Sequence, residues 1–149
     1  AYGCANLWAI CATTLAPIGA GAANVVNETY GGTGAGATPG VGVLRERAVA
    51  AELGDDFVAM NVPFKVYGPK GFSGEIDVVA TGRFIEVGGP AKGIRTSDVG
   101  RQLANLARLS DLEGVAGQFW YAHGTPQEVI DIAVRHLGAD NVIPIGGVG

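Results

Sequence analysis

The chain is poor in the residue types that mark disulfide-rich and zinc-binding proteins. Its 149 residues include only two cysteines and two histidines. Cys4 and Cys11 would be separated by about 10 Å of rise on a helix, which is too far for a disulfide unless the segment turns back on itself. The scattered histidines and cysteines do not have the spacing of a zinc site. We therefore expect both cysteines to be small apolar residues.

Charge is sparse, and its distribution is uneven. The net charge is −4, which does not indicate a strongly basic nucleic-acid-binding protein. Between residues 65 and 108, however, seven Lys and Arg oppose four Asp and Glu, for a net charge of +3. The remainder has three basic and ten acidic residues, for a net charge of −7. The electrostatic field of the middle segment therefore differs from that of the whole chain.

The first 27 residues carry no charge. They lack the basic start of a signal peptide, and Pro17, Gly19 and Gly21 interrupt any membrane-spanning helix. We interpret residues 1–30 as an entry region or the end of an upstream domain, and we expect no stable membrane insertion. The glycine-rich segment 31–40 predicts a flexible linker, and the globular domain is expected over residues 41–149.

Apolar periodicity and turn residues in the globular part predict an α/β domain. Pro63 in the first strand indicates a bulge or an edge strand. Thr96 or Ser97 is predicted to cap the second helix, and Thr125 to Glu128 form a potential capping box for the third. The predicted elements are a helix over 43–53, strands over 57–67, 75–80 and 83–87, a helix from 96 to about 109–112, a strand over 115–122, a helix ending at 137 and a strand over 141–145.

The second and third strands form the most informative part of the chain. Thr81 and Gly82 predict a two-residue turn, so Ala80 pairs with Arg83 and Asp77 lies opposite Glu86. The Cβ atoms of such a pair are about 5 Å apart, and two facing carboxylates repel each other unless a cation lies between them. This pattern therefore indicates a divalent metal site. The alternative is that both carboxylates are solvated charges on an exposed face, which also carries Glu75.

The order of elements and the two strand acids resemble the PD-(D/E)xK nuclease superfamily, whose fold is restriction-endonuclease-like. The resemblance spans about residues 41–145 and implies a three-layer fold with a central mixed sheet flanked by helices. It also implies catalytic and metal-binding roles for Asp77 in GEIDVV and Glu86 in FIEV. Glu46 in the first helix matches the glutamate that completes the metal site in many of these nucleases, and Glu52 is its rival. Gln102 in RQLANL matches a glutamine found in related subfamilies.

The sequence departs from this family at one position. The family expects a lysine two residues after the third-strand acid, where this chain has Gly88. Lys92, in the following GPAKG segment, is close enough in sequence to return its ammonium group to the site. If Lys92 does not reach it, the domain would bind nucleic acid without cleaving it.

The resemblance implies hydrolysis of phosphodiester bonds with Mg²⁺ or Mn²⁺ as the cofactor. Asp77 and Glu86 would hold the ion, Glu46 would add a ligand or orient a water molecule, and Lys92 would stabilise negative charge.

Basic residues on the second helix form a candidate phosphate track beside this site. Arg101, Asn105 and Arg108 would share one face of the helix, and Arg95 precedes it. Together with Gln102, these arginines are the predicted substrate-binding residues.

The layout of the whole chain also resembles the C-terminal toxin tips of bacterial contact-dependent growth inhibition proteins. These tips join an apolar entry segment and a flexible joint to a compact nuclease. The resemblance implies a secreted or cell-surface exoprotein that delivers the nuclease into the cytoplasm of a target bacterium, and a cognate immunity protein. Transfer RNA is the favoured substrate and DNA the alternative. A metal-independent RNase using His123 with Tyr121 or Lys70 is a further hypothesis.

Overall fold

The structure is a computed structural model that describes residues 40–146. The predictions for residues 1–39, including Cys4 and Cys11, lie outside these residues. Within residues 40–146, three helices and five strands follow the expected order of helix, three strands, helix, strand, helix and strand, joined in places by short 3₁₀ turns. The helices are α1 (Val41–Leu53), α2 (Thr96–Glu113) and α3 (Gln127–Leu137), and the strands are β1 (Phe57–Val66), β2 (Phe72–Ala80), β3 (Arg83–Gly88), β4 (Ala116–Tyr121) and β5 (Val142–Pro144).

The strands form one mixed sheet in the order β1-β2-β3-β4-β5. The first three strands form an antiparallel meander because short turns join them, whereas β4 and β5 run parallel to β3 after helical crossovers. Ala80 pairs with Arg83, and Gly82 has a φ of 71°, so the predicted two-residue turn and its register are confirmed.

The sheet is covered by helices on both faces, which confirms the predicted three-layer α/β arrangement. On one face, Val49 and Leu53 of α1 pack against a cluster from the central strands. On the other face, α2 and α3 pack together over β4, with Phe119 completely buried between them. The predicted apolar stripe of α2 is confirmed, because Val99, Leu103 and Leu106 are all buried. The α1-side cluster consists of Val49, Leu53, Met60, Val78, Ala80, Ile85, Val87 and Trp120.

Two local predictions were wrong. The residue before α2 is Arg95, and neither Thr96 nor Ser97 caps the helix through its side chain. The Thr125 hydroxyl donates to the carbonyl oxygen of Ala122 at 2.7 Å instead of forming a capping box, because Pro126 takes the capping position of α3. Of the two alternatives for Pro63, the edge strand is confirmed, because β1 lies at the edge of the sheet. Pro63 itself keeps its register, and the bulge in β1 lies between Phe57 and Ala59.

Among the helices within residues 40–146, none combines the length and apolar character needed to cross a membrane.

Candidate active site

The hydrogen-bonded ladder between β2 and β3 ends one pair before the two strand acids. Its last recorded pair joins Val78 to Ile85. At the next position, Asp77 Oδ2 accepts a hydrogen bond from the backbone N–H of Val87 at 2.7 Å. The carboxylate therefore takes the place of a backbone acceptor where the strands part. Asp77 and Glu86 line one cavity, as the predicted register required.

The same point is irregular on the side of β1. Asn61 lies between the pairs Met60–Val78 and Val62–Ile76, so it is opposite Asp77, and its φ is 50°. A positive φ is uncommon outside glycine, although asparagine adopts it more readily than most residues. The usual alternation of side chains also breaks here, because Ile76 packs on the α2 side of the sheet and Val78 on the α1 side. Asp77 therefore lies where the alternation of side chains in β2 breaks.

Asn61 also contacts Glu46 of α1. Its side-chain amide donates to Glu46 Oε2 at 3.4 Å, a long hydrogen bond that joins β1 to α1 beside Asp77. The rival Glu52 instead accepts a hydrogen bond from the backbone N–H of Gly146 at 3.1 Å. Of the two glutamates, Glu46 is the one that lines a cavity with Asp77. Asn61 was not identified from the sequence, where an asparagine within an apolar strand was the only available signal.

Burial, together with repulsion from neighbouring carboxylates, makes both strand carboxylates difficult to ionise. Desolvation and the neighbouring Glu86 raise the pKa of Asp77 to about 8, with a smaller contribution from Glu46. The Val87 N–H and the Lys92 ammonium act in the opposite direction. Burial also raises the pKa of Glu86, against the lowering effect of Lys92. Perturbed carboxyl groups in a cavity are typical of functional sites.

Lys92 supplies the cation that is missing at Gly88. Its ammonium group donates to Glu86 Oε1 at 2.6 Å and to Gln102 Oε1 at 3.1 Å. A Cβ atom at Gly88 would overlap the ring of Phe119, so this strand position has no room for a side chain. Lys92 reaches the site from the 3₁₀ turn Pro90–Arg95 that follows β3. The Lys92 ammonium group therefore lies beside Glu86, as the sequence predicted, and Gln102 contacts it.

The four predicted substrate-binding residues lie in different surroundings. Arg101 and Gln102 line the cavity of Asp77 and Glu86, although Arg101 also forms a salt bridge with Asp98 at 3.0 Å. Arg95 is exposed and lines a second cavity on the α1 side. Arg108 donates to the carbonyl oxygen of Lys70 at 3.0 Å and lies over the ring of Phe72. The structure therefore does not bring Arg108 together with the others.

Two cavities share Asp77 in their linings. We call the smaller one the polar cavity: it has a volume of about 280 Å³ and includes Glu75, Glu86, Arg101 and Asn105. The larger one, here the wide cavity, has a volume of about 860 Å³ and includes Arg45, Glu46, Pro90 and Ile94. Both cavities are lined by Asp77, Lys92 and Gln102.

The donor set is compatible with Mg²⁺ or Mn²⁺. Within residues 40–146, no group of three or more His, Cys, Asp or Glu side chains is placed to hold a metal ion. Mg²⁺, however, is usually bound by one or two carboxylates, with water and substrate phosphate as its other ligands. Asp77 and Glu86 provide two such carboxylates in one cavity. Burial is the main cause that raises the pKa of each, and repulsion from neighbouring carboxylates adds to it; a bound cation would oppose both effects. Glu46 lines the wide cavity together with Asp77, but it does not line the polar cavity.

His123 is exposed and lines neither cavity. Its suggested partners are also absent from both linings: Tyr121 stacks near Phe119, and Lys70 lies in the loop that contacts Arg108. The geometry therefore groups the carboxylates with Lys92 and leaves His123 outside that group.

Comparison of the chain with protein-family models, curated proteins and solved structures finds no match.

Proposed function

We propose that this protein is a divalent-metal-dependent nuclease that hydrolyses phosphodiester bonds, with transfer RNA as the first substrate and DNA as the second. The observation that carries the proposal is the grouping of Asp77, Glu86 and Lys92. The buried Glu86 and the half-buried Asp77 lie where β2 and β3 separate, and the lysine ammonium is 2.6 Å from Glu86. This combination of acids and one cation suits a reaction in which negative charge develops on a phosphate.

Each residue of the group has a distinct task in this proposal. Asp77 and Glu86 would hold the ion, and Mg²⁺, when bound there, would supply positive charge to the phosphate and lower the pKa of a water molecule. The Lys92 ammonium donates a hydrogen bond to a phosphate oxygen as its negative charge increases. Gln102 orients that ammonium through the contact at 3.1 Å. Glu46, at the wide-cavity side of Asp77, orients a water molecule.

The finer fold assignment and the biological setting belong to the same proposal. The meander with acids at the point of separation, followed by α2 and the parallel strand β4, supports a restriction-endonuclease-like fold. The toxin setting is supported by the uncharged first 27 residues and the glycine-rich segment before the domain. We infer delivery from a secreted or cell-surface exoprotein into a target bacterium, and an immunity protein that covers the site.

The direct test is cleavage of total RNA and plasmid DNA by the purified protein, with Mg²⁺, with Mn²⁺ and with EDTA. We expect cleavage only with metal, and none by Asp77→Asn, which keeps an acceptor for the Val87 N–H but removes the charge. Lys92→Met is expected to lower the rate by about 10²–10³-fold, the usual effect of removing one transition-state donor. Asp111→Asn, an exposed carboxylate on α2, is the matched control.

The other outcomes separate the competing hypotheses. Cleavage that persists in EDTA and in Asp77→Asn would contradict the metal-dependent mechanism and direct attention to His123. Binding of RNA without any cleavage by the wild-type protein would indicate a non-catalytic binding module.

A further inference from the structure

The two cavities beside the acidic pair differ in size and in the chemistry of their walls. The polar cavity, of about 280 Å³, is lined mostly by charged and amide side chains. The wide cavity has a volume of about 860 Å³ and includes an apolar wall. Its size falls within the range of about 300–1,000 Å³ that is common for small-molecule sites. The residues of that wall are Val41, Pro90, Ala91, Ile94 and Val99.

Apart from the buried Val99, the apolar wall is exposed although it lies beside charged residues. Ile94 is 83% exposed and Val41 is 62% exposed. Large apolar side chains grouped around a cavity are typical of surfaces that bind a partner or ligand. A nucleobase is a suitable ligand, because its flat faces are apolar whereas the phosphate to which it is joined is charged.

Arg45 provides a cation at the base of this cavity. Its side chain is half-buried and lies against Gly89, where a Cβ atom would overlap the guanidinium. Within residues 40–146, Arg45 forms no salt bridge and no side-chain hydrogen bond. A partly buried guanidinium without an anionic partner can bind a phosphate through paired N–H donors. Arg95 lines the same cavity and is exposed.

We propose that the wide cavity receives one unpaired nucleotide, whose phosphate contacts Arg45 and whose base packs against Val41, Pro90 and Ile94. The inference rests on the proposed nuclease function and narrows its substrate to single-stranded segments, such as the loops of a folded RNA. A base within a duplex would first have to leave its stack and its partner, which costs free energy. The shared lining residues Asp77 and Lys92 place the neighbouring phosphodiester beside the carboxylates.

The test is fluorescence anisotropy of a labelled short RNA, measured in EDTA with the full chain. The same strand is used alone and in a duplex with its complement. We expect the single strand to bind at least tenfold more tightly than the duplex, because a paired base cannot make its contacts in the wide cavity without leaving the duplex. Arg45→Ala should weaken single-strand binding by about tenfold or more, and Ile94→Ser by about fivefold. Arg135→Ala and Leu112→Ser, which line neither cavity, should bind like the wild type.

Cleavage assays on the same strands distinguish failure of this inference from failure of the nuclease proposal. Equal, metal-dependent cleavage of single strand and duplex, unchanged in Arg45→Ala and Ile94→Ser, would overturn the inference and leave the nuclease standing. Single-strand binding that depends on Arg45 and Ile94 but leads to no cleavage would support the nucleotide site and contradict the nuclease. Unchanged RNA binding by Ile94→Ser would also overturn the inference and favour a protein partner for the apolar wall.

Discussion

At the scale of single residues, Asp77 combines a structural and a chemical role. Its carboxylate closes the end of the β2–β3 ladder by accepting from the Val87 N–H at 2.7 Å. The same group is half-buried and lies beside Glu86, so desolvation and repulsion destabilise its charged form. A neutral side chain could make the hydrogen bond equally well. The choice of an ionisable carboxyl group therefore requires another explanation, and binding of a cation provides one.

The raised pKa of Asp77 predicts an unusual pH dependence of stability for the metal-free protein. In the folded chain Asp77 titrates at about 8, compared with its ordinary value of 3.8. Between these values the unfolded chain binds fewer protons, so the free energy of unfolding falls as the pH rises. The raised pKa of Glu86 acts in the same direction. In EDTA, we expect the melting temperature to decrease from about pH 5 to about pH 8.

Asp77→Asn should remove much of this decrease and melt higher than the wild type at about pH 8. Each kcal/mol added to the free energy of unfolding raises the melting temperature of a small domain by about 4–8 °C. Addition of Mg²⁺ at that pH should stabilise the wild type but not the variant, because a ligand stabilises only the state that binds it. Asp111→Asn should follow the wild type throughout. A wild-type melting temperature that rises steadily to about pH 8 in EDTA would contradict the prediction.

At the scale of elements, the end of β3 explains why the lysine comes from a different position. Gly88 is the last residue of β3 and is buried against Phe119 of the parallel strand β4. The 3₁₀ turn Pro90–Arg95 then brings Lys92 back to Glu86. Because the Phe119 ring leaves no room for a side chain at position 88, the cation has to come from the turn that follows β3.

Gly88→Ala tests this packing without changing any charge. The added Cβ atom would overlap the Phe119 ring, so we expect a loss of about 1–3 kcal/mol, as in other overpacked cores. The matched control is Gly100→Ala on α2, where the new Cβ would meet only Ile132 at 3.9 Å. That change should stabilise the protein by up to about 1 kcal/mol, because alanine favours a helix more than glycine does. Chemical denaturation measures both; equal effects would show that Phe119 does not restrict position 88.

Features that depend on the local sequence could be predicted, whereas features that depend on tertiary packing could not. The turn at Thr81 and Gly82 determines the hairpin register locally, so the positions of Asp77 and Glu86 could be predicted from it. The helix caps could not, because Pro126 and the 3₁₀ turn before α2 replace the expected side-chain hydrogen bonds. Asn61 and Arg45 were missed because their importance depends on packing between β1, α1 and the turn after β3.

At the scale of the whole molecule, the negative net charge does not describe the surface around the site. The segment from residue 65 to residue 108 has a net charge of +3 within a chain of net charge −4. It includes Lys92 and Arg95, and Arg45 lies beside them in the wide cavity. A nucleic acid would therefore meet a small local group of cations and not a broadly basic face. Only a few phosphate contacts are expected, which makes the salt dependence of binding informative.

We expect single-stranded RNA binding to weaken with salt with a logarithmic slope of about −2, as about three phosphate contacts would give. Arg95→Ala should reduce the magnitude of that slope by about 0.7, because it removes one contact. Arg108→Ala is the matched comparison, and it should leave the slope unchanged because Arg108 already contacts Lys70 and Phe72. Anisotropy titrations at several salt concentrations measure each slope. If both variants reduce the slope equally, the phosphate track along α2 that the sequence indicated is favoured instead. A wild-type slope near zero would contradict binding through phosphates altogether.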